Sequence, residues 1–290
     1  MKRVVSLLLG SCLVLGTAAV AVAQEANTGT DMPPKIMVIN REVLKPGKAG
    51  SPHQKTESAF VRAMAEVKSQ TYYTGMDALS GVSRSLFLTG YDSFAAWEKD
   101  TMSVAKDAKL SAALDRASVA DGELLDAYST GVFRLNTEQS LNLGTDLSHD
   151  RYFEIGVYQV KPGHEADWDE IMKLVKAAYA KVPGVQWAMY ERVYGGTQGY
   201  HVYFMPMRSA AEIDEAFANG PKFMEALGPD GMKKLSDLLA SAVETSEINL
   251  FVVNPAISYV SPEMIKANPE FWKPAPAEGM KRAAEKKPAE

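Results

Sequence analysis

Short apolar runs alternate along this chain with segments in which apolar residues recur at helical spacing, and the same punctuation separates them twice. An apolar run over 36–44 ends at Lys45-Pro46-Gly47, and another over 152–160 ends at Lys161-Pro162-Gly163. After the second, Trp168, Ile171, Met172, Val175, Tyr179 and Val182 fall on one face of a helix. After the first, Phe60, Met64 and Val67 do the same, behind an apparent insertion around 49–54. Val182-Pro183-Gly184 then leads into a hairpin, with strands over 185–193 and 200–207 joined by a turn from Gly195 to Gly199. The first half has a blurred counterpart, running from Tyr72 and Tyr73 through Gly81 to a strand over 83–90. Ser209 with Glu212 reads as a capping box, and Asp92 or Ser93 as the equivalent cap. Ser93 and Ser209 are separated by the same offset as the two Lys-Pro-Gly turns. Beyond the second cap, Gly220-Pro221 and Gly228-Pro229 interrupt the chain, which predicts a short helix and then a longer one over 232–243. Each half closes on a strand, 131–136 and 248–254, with Phe133 matching Phe251 and Asn136 matching Asn254.

Four features in one order and nearly one register predict an internal duplication. The fold class is α+β: two tandem ferredoxin-like βαββαβ units over 35–137 and 151–255, each an antiparallel sheet with helices on one face. Residues 24–34 read as an unstructured leader, 138–150 as a polar linker, 256–273 as an extended strap, and the Pro-, Ala-, Lys- and Glu-rich 274–290 as a disordered tail.

The N-terminus changes the setting. Lys2 and Arg3, an uncharged run from Val4 to Ala23, and Ala21-Val22-Ala23 before Gln24 make a secretory signal peptide over 1–23, which predicts a periplasmic or extracellular protein. Cys12, the single cysteine, lies within that segment, so the mature chain has no disulfide, thiolate ligand or thiol nucleophile. With 31 Lys and Arg against 36 Asp and Glu, the chain is net acidic. Loss of Lys2 and Arg3 deepens the deficit, which argues against nucleic acid or an anionic membrane surface as partner.

Val160-Lys161-Pro162-Gly163-His164, Val182-Pro183-Gly184 and Tyr91-Asp92-Ser93-Phe94-Ala95-Ala96-Trp97, in this order of elements, resemble the dimeric α/β-barrel superfamily, with its antibiotic-biosynthesis monooxygenase-like and NIPSNAP-like families. The resemblance covers most of 36–254. It implies that the two sheets close face to face into an intrachain barrel, a monomer with pseudo-dimeric halves, and that a cleft in each half handles a small hydrophobic molecule or haem. The superfamily holds oxygenases, isomerases, haem-degrading enzymes and proteins without assigned activity, so it implies no reaction.

Period-two counting along the strands predicts the site. In the second half, Phe153, Ile155, Val157, Val202, Phe204, Ile248, Leu250 and Val252 are assigned to the helices. The opposite face then carries Glu154, Gly156, Tyr158, His201, Tyr203, Met205, Asn249 and Phe251, joined by Gln186, Tyr190 and Arg192. Glu154, Tyr158, Tyr190, Arg192, His201, Tyr203 and Asn249 are therefore the candidate ligand-binding residues. His201 and Glu154 would be placed for acid–base work, unless the same face is a satisfied seam between the halves. The matching face of the first half (Val38, Asn40, Glu42, Ser85, Phe87, Thr89) carries no histidine, which puts any function in the second half. His164 with Glu165, Asp167, Asp169 and Glu170 reads as a solvated helix start rather than a metal site. Met205-Pro206-Met207 is a thin copper site, and His53 and His149 are expected at the surface. No metal and no cofactor is implied by these residues; haem enters only through the resemblance. Three readings stay open: a module that binds or senses a small apolar or aromatic molecule, a monooxygenase or haem-degrading enzyme, and a structural protein with a sealed barrel.

Overall fold

The computed structural model describes residues 32–144 and 146–273; the signal-peptide and tail expectations lie outside them. The first half runs β1 (Ile36–Leu44), α1 (Ser51–Glu66), β2 (Tyr73–Ala78), β3 (Arg84–Tyr91), α2 (Phe94–Lys106), α3 (Ala108–Gly122) and β4 (Leu125–Leu141). The second runs β5 (Tyr152–Val160), α4 (Glu165–Tyr179), β6 (Trp187–Tyr194), β7 (Tyr200–Met207), α5 (Ala211–Ala242) and β8 (Val243–Val253). Two short helices, α6 (Pro262–Ala267) and α7 (Pro269–Trp272), come last. Among the described residues no helix is long and apolar enough to cross a membrane.

Each half pairs its strands in the ferredoxin-like order, β4-β1-β3-β2 and β8-β5-β7-β6, all antiparallel. The β2–β8 and β4–β6 pairings close the two sheets into one eight-stranded barrel. The local signals explain the elements. Ser93 caps α2 by accepting from the Ala96 amide, and Glu212 accepts from the Arg208 and Ser209 amides at the start of α5. Only one of the two expected breaks in α5 is real: Gly228, at φ 66°, interrupts the helix, whereas Gly220-Pro221 runs through it. α1 begins at Ser51, so the apparent insertion is its first turn. β4 continues through Leu141, taking over the start of the expected linker, and the strap is largely helical rather than extended.

Closure of the barrel decides which face of each strand is apolar. A closed barrel of eight strands has an interior just wide enough for side chains to fill, and that interior is a core. Ile39, Leu86, Phe153, Ile155, Val202 and Phe204 point into it, with Met76, Phe133, Tyr190, Phe251 and Val253. The assignment of Phe153, Ile155, Val202 and Phe204 to the helices is therefore one residue out of register on β5 and β7. The assignment of Val38, Glu42, Ser85 and Phe87 to the interior fails in the same way on β1 and β3. On β6 and β8 the expected interior faces are correct: Tyr190 and Phe251 lie in the core, and Ile248 is exposed.

Candidate functional site

The expected site divides along this register error. Glu154, Tyr158, His201 and Tyr203 do come together, but beneath α4 rather than between the sheets. Trp168 of α4 packs on His201 at 4.8 Å and on Tyr158 at 5.1 Å between ring centroids, and Tyr158 stacks on Tyr203 at 6.2 Å. The Tyr203 hydroxyl donates to Glu154 Oε1 at 2.5 Å, which supplies the partner a half-buried carboxylate needs. Burial lowers the His201 pKa. Gly156 makes room for this packing, because a Cβ there would run into the Tyr203 ring. Gly156→Ala should cost about 1–3 kcal/mol by overpacking. An unchanged melting temperature would show that Tyr203 is free to move aside.

Tyr190, Arg192 and Asn249 face the barrel instead. The Tyr190 hydroxyl donates to Pro34 O at 2.9 Å. Arg192 lies over the Tyr200 ring at 3.8 Å and donates to Thr197 O, while Asn249 donates to Glu247 Oε1 at 2.7 Å. Arg192 and Asn249 line a cavity of about 240 Å³ at one end of the barrel, together with Arg41, Arg84 and Glu247. Arg84 is tied to Glu247 at 2.7 Å, while the buried Arg192 Nε at the same end has no partner.

The opposite end of the barrel holds an apolar chamber of about 290 Å³, walled by Met37, Met76, Leu88, Phe153, Phe204 and Val253. Its rim is built from both ends of the described chain: Pro33 and Pro34 on one side, Val260, Met264 and Trp272 on the other. The strap that carries this rim is docked firmly. Trp272 Nε1 donates to Ser148 O, Arg151 lies 3.6 Å over the Phe271 ring, and Ile257 is fully buried over Gly75, where a Cβ would come within 2.6 Å of it.

One further cluster lies beneath α1, in the half expected to be inert. His53 and Glu57, one turn apart on the inner face of α1, meet Glu42 of β1 and Asp121 of α3, and all four are buried. His53 Nε2 lies 2.9 Å from Glu42 Oε2, 3.7 Å from Asp121 Oδ1 and 4.0 Å from Glu57 Oε1. Thr56 donates to Asp121 Oδ1 at 2.5 Å. Burial, then the charges of Glu42 and Asp121 and a hydrogen bond with Asp121, push the Glu57 carboxyl up to about 10. Burial raises Glu42 as well, against the hydrogen bond from His53. For His53 burial acts downward, but the hydrogen bond to Glu42 and the fields of Asp121, Glu42 and Asp77 outweigh it, and the net shift is upward. His53 is thus a buried imidazole in a carboxylate nest, contrary to its expected exposure. His164 and His149 are solvated as expected, with His164 paired to Asp167 at the surface.

Neither a protein-family model nor a curated protein matches the sequence. Solved structures do match the fold. An anthrone oxidase-like protein aligns over 78% of this chain and 93% of its own length, with 15% identity and a TM-score of 0.50. A candidate monooxygenase from Fusobacterium nucleatum subsp. nucleatum aligns over 77% and 93%, with 10% identity and a TM-score of 0.49. Chlorite dismutase from Candidatus Nitrospira defluvii, in complex with imidazole, aligns over 81% and 95%, with 10% identity and a TM-score of 0.44. At 15% identity the likeness to the first of these establishes architecture and no chemistry. The chain has the dimeric α/β-barrel fold, built within one polypeptide.

Proposed function

We propose that this protein binds a small, uncharged apolar molecule in the chamber at the strap-covered end of its barrel, outside the cytoplasm. The observation that carries the reading is the chamber itself: apolar side chains from both halves wall a space of about 290 Å³ that a closed barrel of this size would ordinarily fill. The volume is at the low end of ordinary ligand pockets, roughly 300–1,000 Å³, so the molecule is small. The wall presents few polar groups, and one of the tyrosine hydroxyls on it, that of Tyr190, is already committed to Pro34 O. Affinity would therefore come from apolar burial, at about 25 cal/mol per Å² removed from water. The exported location is read from the signal-peptide pattern of residues 1–23.

Beneath α4 in the second half, packed aromatic side chains fill the space between helix and sheet. A haem entering between α4 and the sheet would have to displace Trp168 from His201 and Tyr158, so these residues do not fit the group as they are arranged.

Native mass spectrometry of the protein purified from its own secretions tests the proposal. The spectrum should show an adduct of low mass on a polypeptide that begins at Gln24. Ala188→Leu, which adds bulk to the chamber wall, should lose the adduct while keeping its circular dichroism. An adduct retained unchanged in this variant places the ligand elsewhere and sinks the reading.

A further inference from the structure

From the cluster beneath α1 we infer a binding site for a divalent first-row transition-metal ion, with Glu42, His53, Glu57 and Asp121 as its ligands. The site lies on the helix side of the first sheet and is independent of the apolar chamber.

The cluster has the dimensions of a metal site. One ligand atom from each of the four side chains can be chosen so that all lie within 4.8 Å of one another. Carboxylate oxygens and imidazole nitrogens bind such ions at about 2.0–2.2 Å, so opposed ligand atoms stand about 4 Å apart across the metal. The four side chains reach this size before any adjustment. They come from three elements that the fold already fixes: β1 supplies Glu42, α1 supplies His53 and Glu57 at i and i+4, and α3 supplies Asp121.

One ligand atom is also unused. The Glu57 side chain is 4% exposed, and its Oε1 has no hydrogen-bond partner although it points at His53 Nε2 across 4.0 Å. The Tyr73 hydroxyl, also buried and without a partner, lies in the field of Glu57 and Glu42. Native interiors leave few polar atoms in this condition, and two around one cluster mark a place where a group is expected.

The charge balance points the same way. Three carboxylates face one imidazole, and among the described residues no lysine or arginine forms an ion pair with any of them. Buried carboxylates without a cationic partner either keep a proton, the form that the raised Glu57 pKa favours in the empty site, or coordinate a metal. A set of three carboxylates and one imidazole suits Mn²⁺, Fe²⁺ or Zn²⁺ better than Ca²⁺, which takes about 6–8 oxygens and no nitrogen. Thr56, the residue that donates to Asp121, lines a groove between α1 and α3 together with Ala63 and Leu110, so one side chain separates that groove from the cluster.

The test is calorimetric titration of the full-length, chelator-treated protein with MnCl₂ and separately with ZnCl₂, with loss of the free Mn²⁺ electron paramagnetic resonance signal as a second readout. One ion should bind per chain. His53→Gln and Glu57→Gln, each nearly isosteric, should weaken it by ~100-fold or more while circular dichroism stays native. The two variants also separate this site from adventitious binding at the surface pairs His164–Asp167 and His149–Asp146, which they leave intact. If the wild type binds neither ion more tightly than the two variants do, the inference is overturned and the cluster is a proton-bridged structural network.

Discussion

Replacing Trp168 by alanine is expected to lower stability by about 3–5 kcal/mol, the range for removing a buried tryptophan or phenylalanine. For a chain of this size that corresponds to a fall in melting temperature of roughly 6–20 °C. The reason lies in what the indole holds. It is 2% exposed, it covers His201 and Tyr158, and its Nε1 donates to Gln139 Oε1 at 3.1 Å. Gln139 in turn bonds Asp169 of α4 and, through its carbonyl, receives Trp187 Nε1. The cavity left by the substitution would be lined by Tyr158 and His201, and the buried His201 Nδ1, already without a partner, gains none from it. Differential scanning calorimetry decides the matter. A fall below 1 kcal/mol would mean that the cleft under α4 is already loose, and it would return Glu154 and His201 to candidacy as a ligand site.

The order of elements is legible in the sequence because local chemistry writes it. Lys-Pro-Gly turns, the Ser93 cap and the glycine turn between β6 and β7 act over a few residues and need no tertiary context. The faces of β5 and β7 are not legible, and the cause is physical. Both faces of these strands are covered, one by the opposite side of the barrel and the other by α4, so each bears large side chains. Alternation then tells that there are two faces without telling which is inside. Placing the more polar set, Glu154, Tyr158, His201 and Tyr203, inside rests on the premise that a sheet gives its apolar side to its helices. Barrel closure reverses that premise, since eight strands closed on themselves leave an interior that is filled mainly by apolar side chains of the strands.

The cluster under α1 escapes a sequence reading for a different reason. The apolar stripe of α1, Phe60, Met64 and Val67, continues toward the N-terminus at helical spacing through Glu57 and His53. Two polar residues on an inner stripe look like the end of a helix when apolar residues are the signal, and the preceding Gly50-Ser51-Pro52 looks like a loop although Pro is suited to a first turn. A histidine and a glutamate at i and i+4 on the extrapolated buried face are the available clue. Glu42 and Asp121 reach them only through the pairing of β1 with β3 and β4 and the packing of α3 on α1, which no local pattern records.

Trp272→Ala is the second change expected to have a large effect, and here the size is set by what the strap can lose. The indole is 7% exposed and packs with Val260 against the barrel core, so truncation taken alone is worth about 3–5 kcal/mol. The strap is a terminal segment, however, and local opening caps the loss: once its docking free energy is spent, residues 255–273 detach and the barrel remains. Ile257, fully buried over Gly75, and Tyr259, paired through its backbone with Tyr73, are further anchors, and detachment would uncover the chamber wall at Phe153, Met76 and Val253. The expected result has two parts. Amide hydrogen exchange over 255–273 should rise to near the unprotected rate, while β5 and β8 stay protected. The low-mass adduct should be lost on buffer exchange at least ~10-fold faster than from the wild type, since a weakening of the cover by about 1.4 kcal/mol already gives that factor. Exchange that rises uniformly across the barrel would show instead that strap and barrel unfold as one unit. The strap would then be part of the core, and the chamber would open only when the protein unfolds.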